Sequence, residues 1–375
     1  MKIIYCLEGT FNSGGKERII IAKANWLSQH GHDVTILTTD QKDRPDFYPL
    51  DKVKRIDTDI MYSQTLTFNP LKKFIVTRHK NKIYKRKLKS IVEEIKPDII
   101  VSAVGHELIL LPKIKGKSKI LVEIHFSRWF RLQRDRNGIW KFIDKYLTQR
   151  DYHYIRKYDK FVCLTEQDKL NWNGIKNIHV INNFIEKKNI IPSSLKNKQL
   201  IAIGRLSYQK GFDRLILAWR KVKEYHPEWK LELYGNGALK NYLNKLIEDN
   251  NLQDVITIHE PTQKIDSKYL ESSGLVMSSH YEGMPMVLLE AMSFGLPLIS
   301  FNCQCGPSDL ITDGYNGFLV KEGDINGLSD AIIKLIENET LRQKMGENSF
   351  NRANQFLKDD IMAKWQNLLN SLIMN

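Results

Sequence analysis

Cysteine is scarce in this chain. Four residues in 375 (Cys6, Cys163, Cys303 and Cys305) are too few and too scattered for a disulfide framework. Cys303 and Cys305 form a C-x-C, but no second Cys or His pair follows at zinc-site spacing. Reduced thiols in the cytoplasm are the expectation. Long apolar runs are also missing. None approaches the ~20 residues of a spanning helix, and the opening run Lys2–Leu7 meets Glu8 too soon for a secretory signal. It reads as a buried first strand. Neither G-x-G-x-x-G nor a Walker A loop occurs, which counts against a dinucleotide or ATP site. No short-period repeat is present either.

Acidic residues are missing locally. Between Leu71 and Ser90 stand nine Lys or Arg and no Asp or Glu. The net charge of +14 is uneven: residues 1–190 hold 37 of the 57 basic and 21 of the 43 acidic side chains, a net of +16. The remainder is −2. A basic half of this kind fits nucleic acid, an anionic membrane surface or a phosphorylated substrate.

The length suggests two domains, and the pattern repeats accordingly. In the first half, short β-branched runs (Lys2–Leu7, Asp33–Thr38, Asp98–Ala103, Lys119–Ile124, Lys160–Leu164) read as buried parallel strands. Helical patterns cover Lys16–His30, Leu71–Lys96 and Ile139–Tyr158. Gly31 ends the first of these and Pro97 the second. A polar stretch, Asn182–Lys198, reads as a linker. The alternation restarts with strands at Gln199–Ile203, Lys230–Tyr234, Val255–Ile258, Gly274–Ser278 and Leu296–Phe301. Helical patterns at Gly211–Tyr225, Ala238–Asp249, Lys264–Glu271 and Met284–Phe294 intervene. Gly346–Asn375 reads as two helices. The fold expected is α/β, two Rossmann-like doubly wound domains with a cleft between them and ligand outside the carboxyl ends of the strands.

Three segments carry chemistry. The first strand leads into EGTFNSGGKE (8–17) and then a helix, a place where glycines admit a ligand and free N–H groups favour an anion. A plain tight turn is the alternative. In GRLSYQKG (204–211), Arg205 and Lys210 flank the end of a strand, suited to bidentate and point-charge contact with a diphosphate. A solvated surface pair is the competing reading. In EGMPMVLLE (282–290), two glutamates stand eight residues apart, Glu282 in a loop and Glu290 about two turns into the next helix. Gly283 and Pro285 leave backbone N–H groups open there. Carboxylates accept from sugar and ribose hydroxyls, although helix-end charge complementarity alone also accounts for such a pair.

Together, GRL-x-x-x-KG and the E-x-x-x-x-x-x-x-E spacing resemble the family 4 GT-B glycosyltransferases. The likeness extends through NSGGKER (12–18), KPDIIVS (96–102), LTEQDK (164–169), VINNFIE (180–186) and GPSDLITDGYNGFLV (306–320). The stretch from 282 to 300 is similar to bacterial enzymes of surface-polysaccharide and lipid-linked oligosaccharide synthesis. The resemblance implies metal-independent, retaining transfer from a nucleotide diphosphate sugar, with UDP the usual carrier, and no cofactor. It places Arg205 and Lys210 on the diphosphate, Glu290 on the ribose and Glu282 on the donor sugar. The chain from Gly283 through Met284, Met286 and Val287 would hold sugar and phosphate. Gly15 would approach the phosphates from the other domain, and His125 would touch the sugar. It implies an acceptor-side domain over 1–190, a donor domain over 191–355 and a final helix, 356–375, crossing back to the first domain. The family often has Pro-Asn-Gly where Asn182, Asn183 and Phe184 stand, and the stretch from Asp57 to Leu71 matches no family pattern.

The basic half fits this picture as a peripheral contact with the inner face of the plasma membrane, next to a glycan or lipid-linked acceptor. Tyr84, Leu88, Ile91, Val92 and Ile95 share one helical face, expected inward, with lysines outward. A second cluster runs from Arg128, Trp129, Phe130 and Arg131 to Arg134 and Arg136. The competing class, a nucleic-acid-binding protein, lacks a recognisable module, and the phosphate-binding pattern lies in the acidic half. A nucleotide-sugar epimerase or a phosphorylase remains open on the same fold.

Overall fold

The computed structural model describes residues 1–134, 138–186 and 191–374. Seven strands of the first half are β1 (Lys2–Leu7), β2 (Asp33–Thr38), β3 (Lys54–Asp57), β4 (Ile99–Ser102), β5 (Lys119–Glu123), β6 (Lys160–Cys163) and β7 (Ile178–Val180). They pair in parallel in the order β3-β2-β1-β4-β5-β6-β7. The second half supplies β8 (Gln199–Ile203), β9 (Lys230–Tyr234), β10 (Ile256–His259), β11 (Leu275–Met277), β12 (Leu298–Phe301) and β13 (Gly317–Val320). Their order is β10-β9-β8-β11-β12-β13, again parallel. Both sheets are doubly wound α/β layers, as the repeated strand-helix alternation predicts. Their central strands are continuous apolar runs because helices cover both faces. In each sheet the strand order reverses beside the first strand, between β1 and β4 and between β8 and β11. A crevice opens there at the carboxyl ends.

Three short strands escape the apolar-run criterion. β3 reads KRID and is largely exposed at the sheet edge, β7 is a half-buried edge strand of three residues, and β13 begins at a glycine. The helix Ile325–Glu337 is also unforeseen. The first helix of the tail starts at Glu339 rather than Gly346, where the Asn338 side chain caps it by accepting from Leu341 N. In the helix Pro70–Ile95, Tyr84, Leu88 and Val92 are buried, with Ile91 and Ile95 packed partly against the same core.

The expected linker is tied down where it is described. Asn183 and Ile185 are buried, and Ile185 exchanges backbone hydrogen bonds with Phe356 and Lys358. Residues 187–190 of that stretch, and the expected boundary at 190, lie outside the described residues. The last helix, Lys358–Met374, sets Ile361, Met362, Trp365, Leu368, Leu369 and Leu372 into the core of the first sheet beside Ile3, Ile20 and Leu27. That spacing makes one helical stripe.

The second basic cluster is not a free cationic face. The Arg128 guanidinium lies over the rings of Trp129, Tyr152 and Trp172, and Arg131 pairs with Asp151 at 2.7 Å. Arg136 lies outside the described residues. Among those described, no helix is long and apolar enough to cross a membrane.

One ion pair is wholly enclosed. Lys23, on the helix Gly15–Gln29, bonds to Glu123 at the end of β5, and each side chain is 1% exposed. The ammonium also lies 3.8 Å from the centroid of Trp365 on the last helix, a cation–π contact. Burial by itself pushes Glu123 up, but Lys23 and His125 outweigh it and hold the carboxyl at about 2. Lys23→Met, which strands that carboxylate, is expected to cost about 3–5 kcal/mol by urea denaturation. The double variant Lys23→Met/Glu123→Met should recover most of the loss. Because the folded pKa is depressed, the contribution of Glu123 is complete above its unfolded pKa of about 4.3. It fades as pH falls toward about 2, so Glu123→Gln should flatten the acid limb of a stability–pH curve.

Candidate active site

The carboxyl edge of β11 runs into Ser278–Pro285 and then the helix Met286–Ser293. That helix starts two residues later than the sequence pattern suggests. Met284 precedes a proline, whose ring disfavours helical geometry in the residue before it, and Pro285 itself is extended. Glu290 therefore stands just over one turn into the helix, not two. Pro285 provides no side-chain cap, so the first N–H groups of the helix stay open toward the cleft.

The two domains touch at this loop. A Cβ on Gly283 would stand 2.5 Å from the His125 carbonyl oxygen and 2.8 Å from Phe126 Cα. Only glycine permits so close a backbone approach. A Cβ on Gly15 would lie 3.5 Å from Met286 Cγ. Met286 itself packs against both the first-domain core and the second. Met284 is buried, its sulfur accepting from Asn183 N at 3.2 Å, and Val287 rests on the second-domain core.

Each acidic candidate already faces a cation. Lys210, just before the helix Phe212–Tyr225, donates to Glu282 Oε1 at 2.7 Å, and Glu282 is buried. Glu290 accepts from Arg18 across the cleft and from the Tyr269 hydroxyl at 2.8 Å. Desolvation draws the Arg18 guanidinium down, but Glu290 more than offsets it, leaving its pKa raised. Arg205 is exposed after β8, and its guanidinium has no ion pair among the described residues. Arg205, Lys210, Glu282, Gly283 and Glu290 thus gather along the carboxyl ends of β8 and β11, with Gly15 opposite.

His125 is placed differently. Its ring is buried, with Nε2 3.4 Å from Glu123 Oε1 and Nδ1 without a hydrogen-bond partner. It is the backbone of His125 that meets Gly283. Burial, above all, lowers the imidazole pKa, which favours the neutral ring. At the start of the helix Gly15–Gln29, Glu17 fills part of the expected anion position: its Oε2 lies 2.3 Å from where a Gly14 Cβ would be. A cavity of about 620 Å³ lies elsewhere, against the helix Phe212–Tyr225 and lined by Arg220, Lys221 and Tyr225. None of the candidate residues borders it.

Two contributors were not anticipated. Arg18 lies within NSGGKER, so a cation at that position was visible without its partner. Tyr269 had no local signal, since it reaches Glu290 only when the helix Ile265–Leu270 packs beside the helix Met286–Ser293.

Known proteins share this architecture. The pattern of the glycosyl transferases group 1 matches residues 183–352, and that of Glycosyltransferase Family 4 matches residues 13–188. An uncharacterized glycosyltransferase of Methanocaldococcus jannaschii is 30% identical over 78% of this chain and 84% of its own. The amylovoran biosynthesis glycosyltransferase AmsD of Erwinia amylovora is 27% identical over 98% of this chain and 99% of its own. Among solved structures, an S. aureus TarM variant in complex with fondaparinux, alpha-GlcNAc-glycerol and UDP superposes with a TM-score of 0.81 at 18% identity, covering 98% of this chain and 99% of that one. With two doubly wound domains closing on one loop, and with these matches along almost its whole length, the chain belongs to the family 4 GT-B glycosyltransferases.

Proposed function

We propose that the protein transfers a hexose or N-acetylhexosamine, with retention, from a UDP-sugar to a glycan or lipid-linked acceptor in surface polysaccharide synthesis. The observation that carries this reading is the gathering of Arg205, Lys210, Glu282 and Glu290 where the strand order reverses in the second sheet. A nucleotide diphosphate needs cations and open N–H groups for its phosphates and carboxylates for its hydroxyls, and this edge offers both. The polysaccharide assignment draws on AmsD, and the UDP assignment on the TarM complex.

In this reading the leaving diphosphate takes Lys210 and Arg205, with help from the N–H groups at the start of the helix Met286–Ser293. Its charge is met by these groups, so no metal is required. Lys210 exchanges Glu282 for phosphate, which frees Glu282 to accept from a donor-sugar hydroxyl. Glu290 likewise turns from Arg18 to the ribose. No side chain is assigned as a nucleophile. The acceptor attacks from the face that the diphosphate vacates, and Glu282 serves as a binding carboxylate rather than a glycosidase-like one.

Two helix starts of the acceptor-side domain carry exposed apolar side chains suited to an anionic bilayer. Leu66 is exposed just before the helix Pro70–Ile95, Leu71, Phe74 and Ile75 in its first turns, and Ile139, Phe142 and Tyr146 along the helix Ile139–Ile155. Lys72, Lys73, Lys141 and Lys145 stand among them. Apolar side chains inserted between lysines suit interfacial binding, with each cation adding about 1 kcal/mol.

Three measurements test these statements. A thermal-shift and hydrolysis screen across UDP- and GDP-sugars should show stabilisation by UDP-sugars, and a flat response to every nucleotide would defeat the reading. Lys210→Ala should lower turnover about 100-fold or more, as loss of a transition-state charge partner does, with a smaller change in donor KM. Vesicles containing anionic lipid should bind the protein at low salt and release it at high salt. Phe74→Ser/Phe142→Ser should weaken that binding without affecting donor hydrolysis.

A further inference from the structure

Lys210 and Glu282 stand on two loops 72 residues apart in the chain, yet their side chains meet at 2.7 Å. The loops behind them are laced together. His280 N donates to the Gln209 carbonyl at 2.8 Å, and Gln209 Nε2 donates to the Tyr281 carbonyl at 3.1 Å. The rings of Tyr208 and His280 stack 4.2 Å apart. The hydroxyl of buried Ser278 donates to the carbonyl of Lys210 itself at 3.0 Å. At Gly211 the chain turns with φ of +57°, and a Cβ there would stand 2.3 Å from the Ser278 carbonyl oxygen. Only glycine lets the two loops run so close.

One side chain fastens this lacing to the rest of the sheet. Arg214, in the first turn of the helix Phe212–Tyr225, is 8% exposed. Its Nη2 donates to the Ser278 carbonyl, and its Nη1 pairs with Glu322 Oε1 at 2.6 Å, just after β13. The guanidinium lies 4.5 Å from the centroid of Phe301, which ends β12. A planar fork serves two fixed acceptors at once, an arrangement that the single ammonium of lysine does not reproduce. With both terminal nitrogens engaged, Arg214 acts on the site through the loops it ties.

The exchange described above moves the Lys210 side chain from Glu282 to phosphate while the backbones of both loops stay in register. A misplacement of about 1 Å at such a site costs rate by up to ~100-fold. We propose that Arg214 is a positioning residue for the transfer, holding the Lys210 turn and the Glu282 loop in register through the Ser278 carbonyl. This rests on the sugar-transfer reading and adds to it what keeps cation and carboxylate aligned.

The test measures hydrolysis of the UDP-sugar that gives the largest thermal shift, in wild-type protein, Ser278→Ala, Arg214→Lys and the double variant. Each single change should lower kcat about tenfold, leave donor KM within about twofold and keep the UDP-induced thermal shift. Because both act on one path, the double variant should lose no more than the worse single. Amide hydrogen exchange gives a readout independent of turnover: the His280 amide should exchange about tenfold faster in either variant, with those of β8 unchanged. Should Arg214→Lys lose its melting transition, Glu322→Ala takes its place, since it unties the other end of the guanidinium at an exposed side chain. The assignment is overturned if kcat keeps its wild-type value, if the loss falls on KM alone, if the two losses multiply in the double variant, or if His280 exchange is unchanged. A wild-type protein that neither shifts with UDP nor hydrolyses any UDP-sugar would instead defeat the sugar-transfer reading, and exchange at His280 would still decide whether Arg214 ties the loops.

Discussion

The buried pair of Lys23 and Glu123 joins three parts of the chain that are far apart in sequence. Lys23 belongs to the helix after the glycine-rich loop, Glu123 ends the strand that leads to His125, and Trp365 on the last helix covers the ammonium. A charge so enclosed is tolerable only with its partner in place. The first helix, the central sheet and the returning tail are therefore held in one arrangement. The loops that meet the second domain, at Gly15 and at His125 and Phe126, both hang from that arrangement. Their approach to Met286 and Gly283 depends on where this pair places them.

Across the cleft the governing theme is charge already matched. Glu282 has Lys210, and Glu290 has Arg18 and Tyr269, so each carboxylate is matched by a partner within the protein. A nucleotide sugar carries both halves of the exchange, anionic phosphates for the cations and hydroxyls for the carboxylates. In the proposed reading, binding trades one set of partners for another without leaving a buried charge unpaired, which would be costly. Arg18 reaches Glu290 from the first domain, so this pair bridges the contact between the domains.

Much of the architecture was legible in the chain. Continuous β-branched runs can be stable only as strands covered on both faces, and they recur in each half with helices between, which leads to two doubly wound sheets. Of the strands that were missed, KRID lies at an exposed edge, a second is a three-residue half-buried edge strand, and Gly317–Val320 is a largely buried apolar run of only four residues, too short to stand out. At the candidate site, Arg205, Lys210, Glu282 and Glu290 could be marked from spacing and residue type. The start of the last helix of that motif could not be placed to the residue, because the proline acts on the residue before it. The cluster at Arg128 and Arg131 reads as cationic surface in sequence, yet stacking and pairing absorb both.

The sequence by itself determined the composition of each half: a basic first domain, a nearly neutral second, and a loop with glycine, proline and two glutamates at a strand end. Local physics suffices there, since charge, ring constraint and missing side chains act over a few residues. Which charges meet was decided only by the tertiary structure. Lys210 and Glu282 are 72 residues apart, and Arg18 and Glu290 are 272. The same holds for His125, marked as a sugar contact by resemblance but turned toward Glu123. Contacts of this range depend on how two sheets and a returning helix stack, and no local pattern in the chain encodes that distance.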